Sequence, residues 1–275
     1  MQNVQVVILA AGKGTRMNKG KESPIPKALY KIGNKPMIWY ILDTLKNIKT
    51  QEHKNKKTEK LNITRPIIVV GYKSKEVIKK LGTNYTYAIQ EERLGTGHAA
   101  KIGLESISAS QLISKGSESA PISVGDVFIM QSDDSAFYTK EMLTGAINRH
   151  QKEDVVLSFL TTNISGLSDY GRVIRDEQGE VTGVVEKENM TDEQKKLNEI
   201  NCGAYLMDLA WAKENVPQIK QHHIGGTEYP LPDVIKMAVE QKQKVLGIQI
   251  NPDEWVGINS LDQLEYANRL MQKRH

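Results

Sequence analysis

Two short stretches of this sequence carry residue types suited to phosphate chemistry. The first is Leu9-Ala10-Ala11-Gly12-Lys13-Gly14-Thr15-Arg16-Met17, a pair of glycines flanked by cations. Glycines let a backbone turn tightly and bring its N–H groups close to an anion, and Lys13 and Arg16 supply countercharge. The spacing is not the P-loop pattern, which needs Gly-Lys-Ser/Thr directly before a helix, nor the dinucleotide G-x-G-x-x-G. Alone, the stretch reads as a phosphate loop or as an ordinary turn. The second stretch is Asp133-Asp134, a carboxylate pair delivered by the apolar run Val127-Phe128-Ile129-Met130. Neighbours on an extended chain point to opposite sides, so only one of the two is expected to meet a bound cation. Between these stretches, Pro24-Ile25-Pro26 forms a stiff extended approach that holds Lys27 at its end. Other chemistry-bearing residues read more plainly. His222-His223 lacks ligand spacing and a third partner, His98 begins a helix and is expected to satisfy backbone groups, and Cys202 reads as a small packed residue.

The elements that must position these residues follow from hydrophobic periodicity. Apolar, β-branched runs at 4–9, 67–70, 85–89, 127–130 and 155–160 read as buried strands. Between them lie helical patterns: Pro36 opens one through Met37, Ile38, Ile41, Leu42, Leu45 and Ile48, and others run through Val77 to Leu81, from the glycine pair Gly95-Thr96-Gly97, and from Lys140 to His150. This alternation predicts an α/β fold, a Rossmann-like, mostly parallel sheet sandwiched by helices, with ligands at the carboxyl ends of the strands. Every motif named so far lies just beyond such an end. From Tyr170 the pattern becomes β-rich. Residues 170–175 and 181–186 flank a hairpin signal, 200–206 and 245–250 read as strands, and 256–258 as a short one. Thr191-Asp192-Glu193-Gln194 and Ser260-Leu261-Asp262-Gln263 have capping-box spacing, and the second opens a C-terminal helix. Residues 50–64 are polar and lysine-rich, and 106–125 are serine-rich; both read as surface connections. We therefore expect one domain over 1–275: an alternating βα portion at 1–165, a smaller β-rich lobe at 166–259, and the terminal helix at 260–275.

Bulk properties narrow the class. The chain has 275 residues, enough for a sizeable core, and 39% hydrophobic with 25% charged residues is ordinary for a globular protein. A net charge of +4 without aromatic residues interleaved in basic runs disfavours nucleic acid as a partner. A single cysteine excludes an intramolecular disulfide, and the absence of a leader or a membrane-length apolar run predicts a cytoplasmic protein with no membrane partner. Oligomeric state is left open.

Taken together and in order, the motifs resemble the sugar-1-phosphate nucleotidylyltransferases, and within them the uridylyltransferase (pyrophosphorylase) domains acting on N-acetylglucosamine 1-phosphate. The resemblance covers nearly the whole length. It rests on LAAGKGTRM at 9–17, Pro26-Lys27, Gln90 with LGTGHA at 94–99, Asp133, and YGR at 170–172. It continues through TGVVEKE at 182–188, EINCG at 199–203 and Gly257-Ile258-Asn259. What it implies is the reaction of an NTP with a sugar 1-phosphate to give an NDP-sugar and pyrophosphate, with Mg²⁺ as cofactor. It places Leu9, Ala10, Ala11, Gly12, Gly14, Lys27, Gln90, Gly95 and Thr96 around the nucleotide, and Gly171, Glu186 and Asn201 around the sugar. Arg16, Lys27 and Asp133 become the catalytic group, and Asp133 with Asn259 the metal pair, which leaves Asp134 as a solvated or capping carboxylate. UTP and N-acetylglucosamine 1-phosphate are the implied substrates. Glucose 1-phosphate or another sugar 1-phosphate with UTP or dTTP is the alternative, and a non-catalytic nucleotide-sugar-binding regulatory subunit is the reading from another class.

The sequence departs from the family pattern beside the metal position. The usual Tyr-Gly-Asp is Gln131-Ser132-Asp133, and the proline that follows is Ser135. In the family this neighbourhood faces the sugar. Prolines stand in Glu228-Tyr229-Pro230-Leu231-Pro232-Asp233 where relatives carry Tyr or Thr. No hexapeptide repeat of an acetyltransferase β-helix is present, so only nucleotidyl transfer is expected.

Overall fold

The computed structural model describes residues 3–18, 20–49, 61–112, 124–165, 170–222 and 227–274. β1 (Asn3–Ala10) leads to a small hairpin, β2 (Lys31–Ile32) and β3 (Lys35–Pro36), and then to α1 (Met37–Lys49). Next come β4 (Asn62–Ile63), β5 (Ile67–Val70), α2 (Ser74–Leu81), β6 (Thr86–Ile89) and α3 (Thr96–Leu112). β7 (Val124–Gln131), α4 (Lys140–Glu153) and β8 (Leu157–Asn163) continue the alternation. The hairpin β9 (Arg172–Arg175) and β10 (Val181–Val185) is followed by β11 (Glu199–Asp208) and α5 (Leu209–Asn215). α6 (Asp233–Glu240), β12 (Val245–Gln249) and α7 (Leu261–Lys273) come last.

All strands except β2 and β3 belong to one 10-stranded sheet. At its centre β1 runs parallel to both β5 and β7, with Val7 opposite Ile67 on one side and Ile129 on the other. β6 extends the parallel half beyond β5. β11 is antiparallel to β7, β8 and β9, so it joins the parallel half to the hairpin. The β-rich portion thus continues the main sheet and is not a second sheet.

The unbroken apolar run of β1 is explained by burial on both faces. Val4, Val6, Ile8 and Ala10 point into the layer packed by Ile38, Ile41 and Leu45 of α1 and Leu143 and Ile147 of α4. Val7 and Leu9 point the other way, against Ala100 and Leu104 of α3 and Ala212, Val234 and Ile235 of α5 and α6. A third cluster lies beneath α7, where Ala267 and Met271 cover Met17, Ile32, Met37 and Phe137.

Several expectations need correcting. Val256 and Ile258 are buried but form no strand; they pack into the cluster beneath α7. Of the serine-rich stretch, residues 106–112 continue α3 and β7 begins at Val124, while 113–123 lie outside the described residues. Within 50–64, residues 62–63 form β4 and 50–60 are outside the described residues. Both capping boxes are made: Gln194 N donates to Thr191 Oγ1 at 3.2 Å while Gln194 Oε1 accepts from Thr191 N at 2.9 Å. The second, at Ser260, opens α7. Among the described residues no helix is long and apolar enough to cross a membrane.

Candidate active site

Parallel strands deliver whatever follows them to one edge of the sheet, and that edge carries the site. Beyond β1, residues 11–14 turn into a short 3-10 helix at Thr15–Asn18. Beyond β6 comes Gln90, and beyond β7 come Ser132, Asp133 and Asp134. β11 runs antiparallel to β7, so its beginning, with Asn201 and Gly203, lies beside the end of β7.

Two cavities open along this edge. The larger, about 540 Å³, is lined by all the residues assigned above to the nucleotide, together with Arg16 and Asp133. Gln131 and Ser132, noted above as departures from the family pattern, and Glu228 of the proline-bearing run also line it, as does Arg93, which sequence reasoning did not single out. The smaller, about 340 Å³, is lined by Gly171, Glu186 and Asn201, together with Asp134, Gly203 and Tyr205. Arg16, Gln131 and Asn259 line both.

The wall between the cavities is cationic and tightly wired. Lys27 starts a 3-10 turn directly after Pro26, whose φ of −56° fixes the approach, and its backbone N–H reaches Gly12 O at 3.4 Å. From there its Nζ donates to Asp133 Oδ2 and, at 2.8 Å, to Asn259 Oδ1. Arg16 Nη2 donates to the same Asn259 oxygen at 2.9 Å. The Asp133 carboxylate and the Asn259 amide oxygen therefore already converge on one cationic centre. Asn259 is held by a residue that sequence reasoning left in a helix cap. Gln263 Oε1 accepts from Asn259 N at 2.6 Å and from Ser260 N at 3.0 Å. Its Nε2 reaches Tyr170 OH at 3.1 Å. Burial first, then Asp134, pushes the Tyr170 phenol up to about 12, so it keeps its proton and donates to Gly257 O at 3.1 Å.

At the far end of the larger cavity, Gln90 Nε2 donates to Gly95 O at 3.1 Å. Gly95 has φ of +93°, and a Cβ there would lie 2.8 Å from Tyr229 O, so the turn and the close approach of residue 229 both require glycine. His98 Nδ1 lies 2.9 Å from Glu92 O and 3.2 Å from Gln90 Nε2, a helix-start histidine engaged with its own turn.

In the smaller cavity, the Asn201 amide is already half used. Its Nδ2 donates to Tyr205 OH at 2.8 Å and its Oδ1 accepts from Gly203 N at 3.0 Å, leaving one N–H and one lone pair. Asp134 is neither solvated nor a cap. It is 7% exposed, and burial, reinforced by Asp133, raises its carboxyl well above the usual range. The reason is β11, which lies beside β7 and places Gly203 against this carboxylate. Cys202 is buried under Trp255, whose indole N–H donates to Cys202 O at 3.1 Å, and burial pushes its thiol well up, consistent with packing and not reactivity. His222 Nε2 pairs with Asp233 at 2.8 Å, and His223 lies outside the described residues. Among the described residues there is no group of three or more His, Cys, Asp and Glu that could hold a metal ion.

Fold and site together define an α/β protein with two abutting ligand cavities and positive charge where they meet. The sequence profile of the nucleotidyl transferase family matches residues 5–274, and the chain belongs to that family. It is 35% identical over 269 residues to bifunctional protein GlmU of Clostridium novyi, covering 98% of this chain and 52% of that protein. With GlmU of Thermoanaerobacter pseudethanolicus the identity is 33% over 274 residues, covering 100% of this chain and 53% of that one. The chain spans about half the length of these relatives. Its fold is similar to that of UDP-glucose pyrophosphorylase complexed with UDP-glucose, with a TM-score of 0.72 at 17% identity over 100% of both chains. HddC from Yersinia pseudotuberculosis is similar at a TM-score of 0.66 and 18% identity, over 97% of this chain and 99% of that one.

Proposed function

We propose that the protein transfers a nucleotidyl group from an NTP to a sugar 1-phosphate, with UTP as donor and N-acetylglucosamine 1-phosphate as acceptor. The observation that carries this reading is the convergence of Lys27, Arg16, Asp133 and Asn259 on the wall shared by two cavities. A nucleotide in the larger cavity and a sugar phosphate in the smaller would meet at that wall. An oxygen of the sugar phosphate then attacks the α-phosphorus in line, a new P–O bond forms, and the bond to the β-phosphate bridging oxygen breaks. Pyrophosphate leaves with the electron pair. No side-chain nucleophile or general base is needed, because the phosphate monoester is already the nucleophile. The chain's task is to bring two anions together and to oppose the charge that builds on the leaving group, which makes catalysis chiefly positioning and electrostatics.

Arg16 and Lys27 supply that positive charge. Asp133 and Asn259 are the residues that would hold Mg²⁺. Their oxygens already meet at one cation, the Lys27 ammonium, and few, hard oxygen donors suit Mg²⁺ carried by phosphates. Bound there, the ion would neutralise charge on the phosphates. Glu186, Gly171 and Asn201 line the smaller cavity and would face the sugar, and Gln90 with the Gly95-Thr96 turn lines the larger and would face the base. The order of motifs and the match to GlmU proteins over 98% of the chain support the choice of substrates.

A panel of NTPs against sugar 1-phosphates, read by pyrophosphate release, tests this reading. The expected result is fastest release with UTP and N-acetylglucosamine 1-phosphate. Preference for glucose 1-phosphate overturns the acceptor. Release from no pair overturns transfer altogether and leaves a nucleotide-sugar-binding regulatory subunit.

A further inference from the structure

The two adjacent carboxylates beyond β7 serve different cavities. Asp133 lines the larger and Asp134 the smaller. Asp133 is paired with Lys27, whereas Asp134 Oδ1 is buried with no hydrogen-bond partner. A carboxylate oxygen left unpaired in a protein wall is costly, and an apolar side chain would pack there without that cost. The neighbouring strand is also shaped around it. Gly203, at φ of +72°, has no Cβ, and a Cβ would lie 2.7 Å from Gln131 Nε2 and 3.2 Å from Asp134 Oδ2. The missing side chain leaves room for the Gln131 amide and the Asp134 carboxyl in the wall of the smaller cavity, which Glu186 also lines.

From the place of this carboxyl group in the lining of the smaller cavity and the space cleared beside its Oδ2 at Gly203, we propose that Asp134 is a specificity-determining residue of the acceptor cavity, its Oδ2 accepting a hydrogen bond from one hydroxyl of the sugar. The carboxyl oxygens are acceptors, and hydroxyl groups are the donors that a sugar ring offers most abundantly. The inference rests on the proposed sugar 1-phosphate acceptor. It adds a second carboxylate reader beside Glu186, directed at a different part of the sugar.

The test uses the sugar 1-phosphate turned over fastest and its analogues each lacking one hydroxyl, with UTP, on the parent protein, Asp134→Val, Asp134→Asn and Glu186→Gln. In the parent, loss of one particular hydroxyl should lower kcat/KM by about a hundredfold or more, because a site built around a hydroxyl is left unpaired without it. In Asp134→Val that penalty should shrink to less than about tenfold, at that hydroxyl alone. Glu186→Gln should leave it near the parent value and blunt the penalty at another position. Asp134→Asn, which keeps one acceptor oxygen and replaces the other by an N–H donor, should give an intermediate penalty. If thermal melting shows Asp134→Val unfolded, Asp134→Asn carries the test, with a reduced penalty still required at the same hydroxyl. A uniform drop across all analogues, or an unchanged penalty, would mean a purely structural role and overturn the inference. A parent that turns over no sugar 1-phosphate fails earlier, at the proposed function itself.

Discussion

Lys27 Nζ lies 2.8 Å from Asn259 Oδ1, although 232 residues separate the two in the chain. The contact exists because β1 and β7 end at the same edge and α7 is capped over it. Lys27 approaches from a proline-stiffened turn, and Asn259 is held by Gln263. Replacing Lys27 by Ala should lower kcat by about two to three orders of magnitude, the loss typical of removing one preorganised donor from a developing anion. Lys27→Arg should not restore it, since a planar fork cannot occupy the place of a compact ammonium between two oxygens. Pyrophosphate release at saturating substrates measures both, and a loss below about tenfold for the alanine variant would take Lys27 out of the transition state.

Asp133 and Asn259 make the corresponding prediction for the ion. Chelation should abolish turnover and Mg²⁺ should restore it, with a half-saturating Mg²⁺ concentration about tenfold or more higher in Asp133→Ala and Asn259→Ala than in the parent. An Asp133→Ala variant that turns over with Mg²⁺ near the parent rate would show that the ion is held elsewhere.

Gln263 positions Asn259. Its side chain accepts from the backbone N–H of Asn259 and of Ser260, while Ser260 Oγ caps Gln263 N at 3.2 Å. Gln263→Ala should cost about 1 kcal/mol of stability, as for other lost caps. It should also lower kcat more than it raises the KM for sugar phosphate, because the misplaced group belongs to the shared wall. Gln263→Glu preserves the capping-box oxygen and should recover most of both losses. If alanine changes melting temperature alone, Gln263 caps α7 and does nothing for the reaction.

Much of the site is legible in the sequence, because parallel strands impose one rule: look just past each buried apolar run. That rule reaches the Gly12 loop, Gln90 and Asp133. It cannot reach the fate of Asp134. Alternation separates the two aspartates correctly, but whether the second meets water depends on β11 lying antiparallel beside β7, a long-range pairing with no local signal. The same limit hides the bond from Gln263 to Asn259, although the capping box itself is plain. Val256 and Ile258 mislead in the opposite sense: they are apolar and β-branched, yet they pack under α7 without joining the sheet. α5 escapes notice because seven residues are too few for a periodic pattern; only the cap, Asp208 Oδ1 accepting from Trp211 N at 2.8 Å, marks its start.

A pH dependence follows from the pair that fastens β9 to β11. Arg175 Nε and Nη2 fork onto the two Glu199 oxygens at 2.8 and 2.6 Å. Burial alone would push the Glu199 carboxyl up, but the hydrogen bonds and charge of Arg175 outweigh it and hold it below the ordinary value. A carboxyl depressed in the folded state binds protons first in the unfolded chain. Its stabilisation is therefore complete above the unfolded value of about 4.3 and is lost as pH falls through the lower folded value. Melting temperature should fall on acidification through this window, and the fall should be shallower in Glu199→Gln. The pair is only half-buried, so solvent screening limits the difference to about 1 kcal/mol or less, largest at low salt. Parallel melting curves for parent and variant from neutral pH to about 3.5 would show that the fork adds nothing to stability. Glu199 stands two residues before Asn201, so the same variant should also raise the KM for sugar phosphate slightly while leaving that for the nucleotide unchanged.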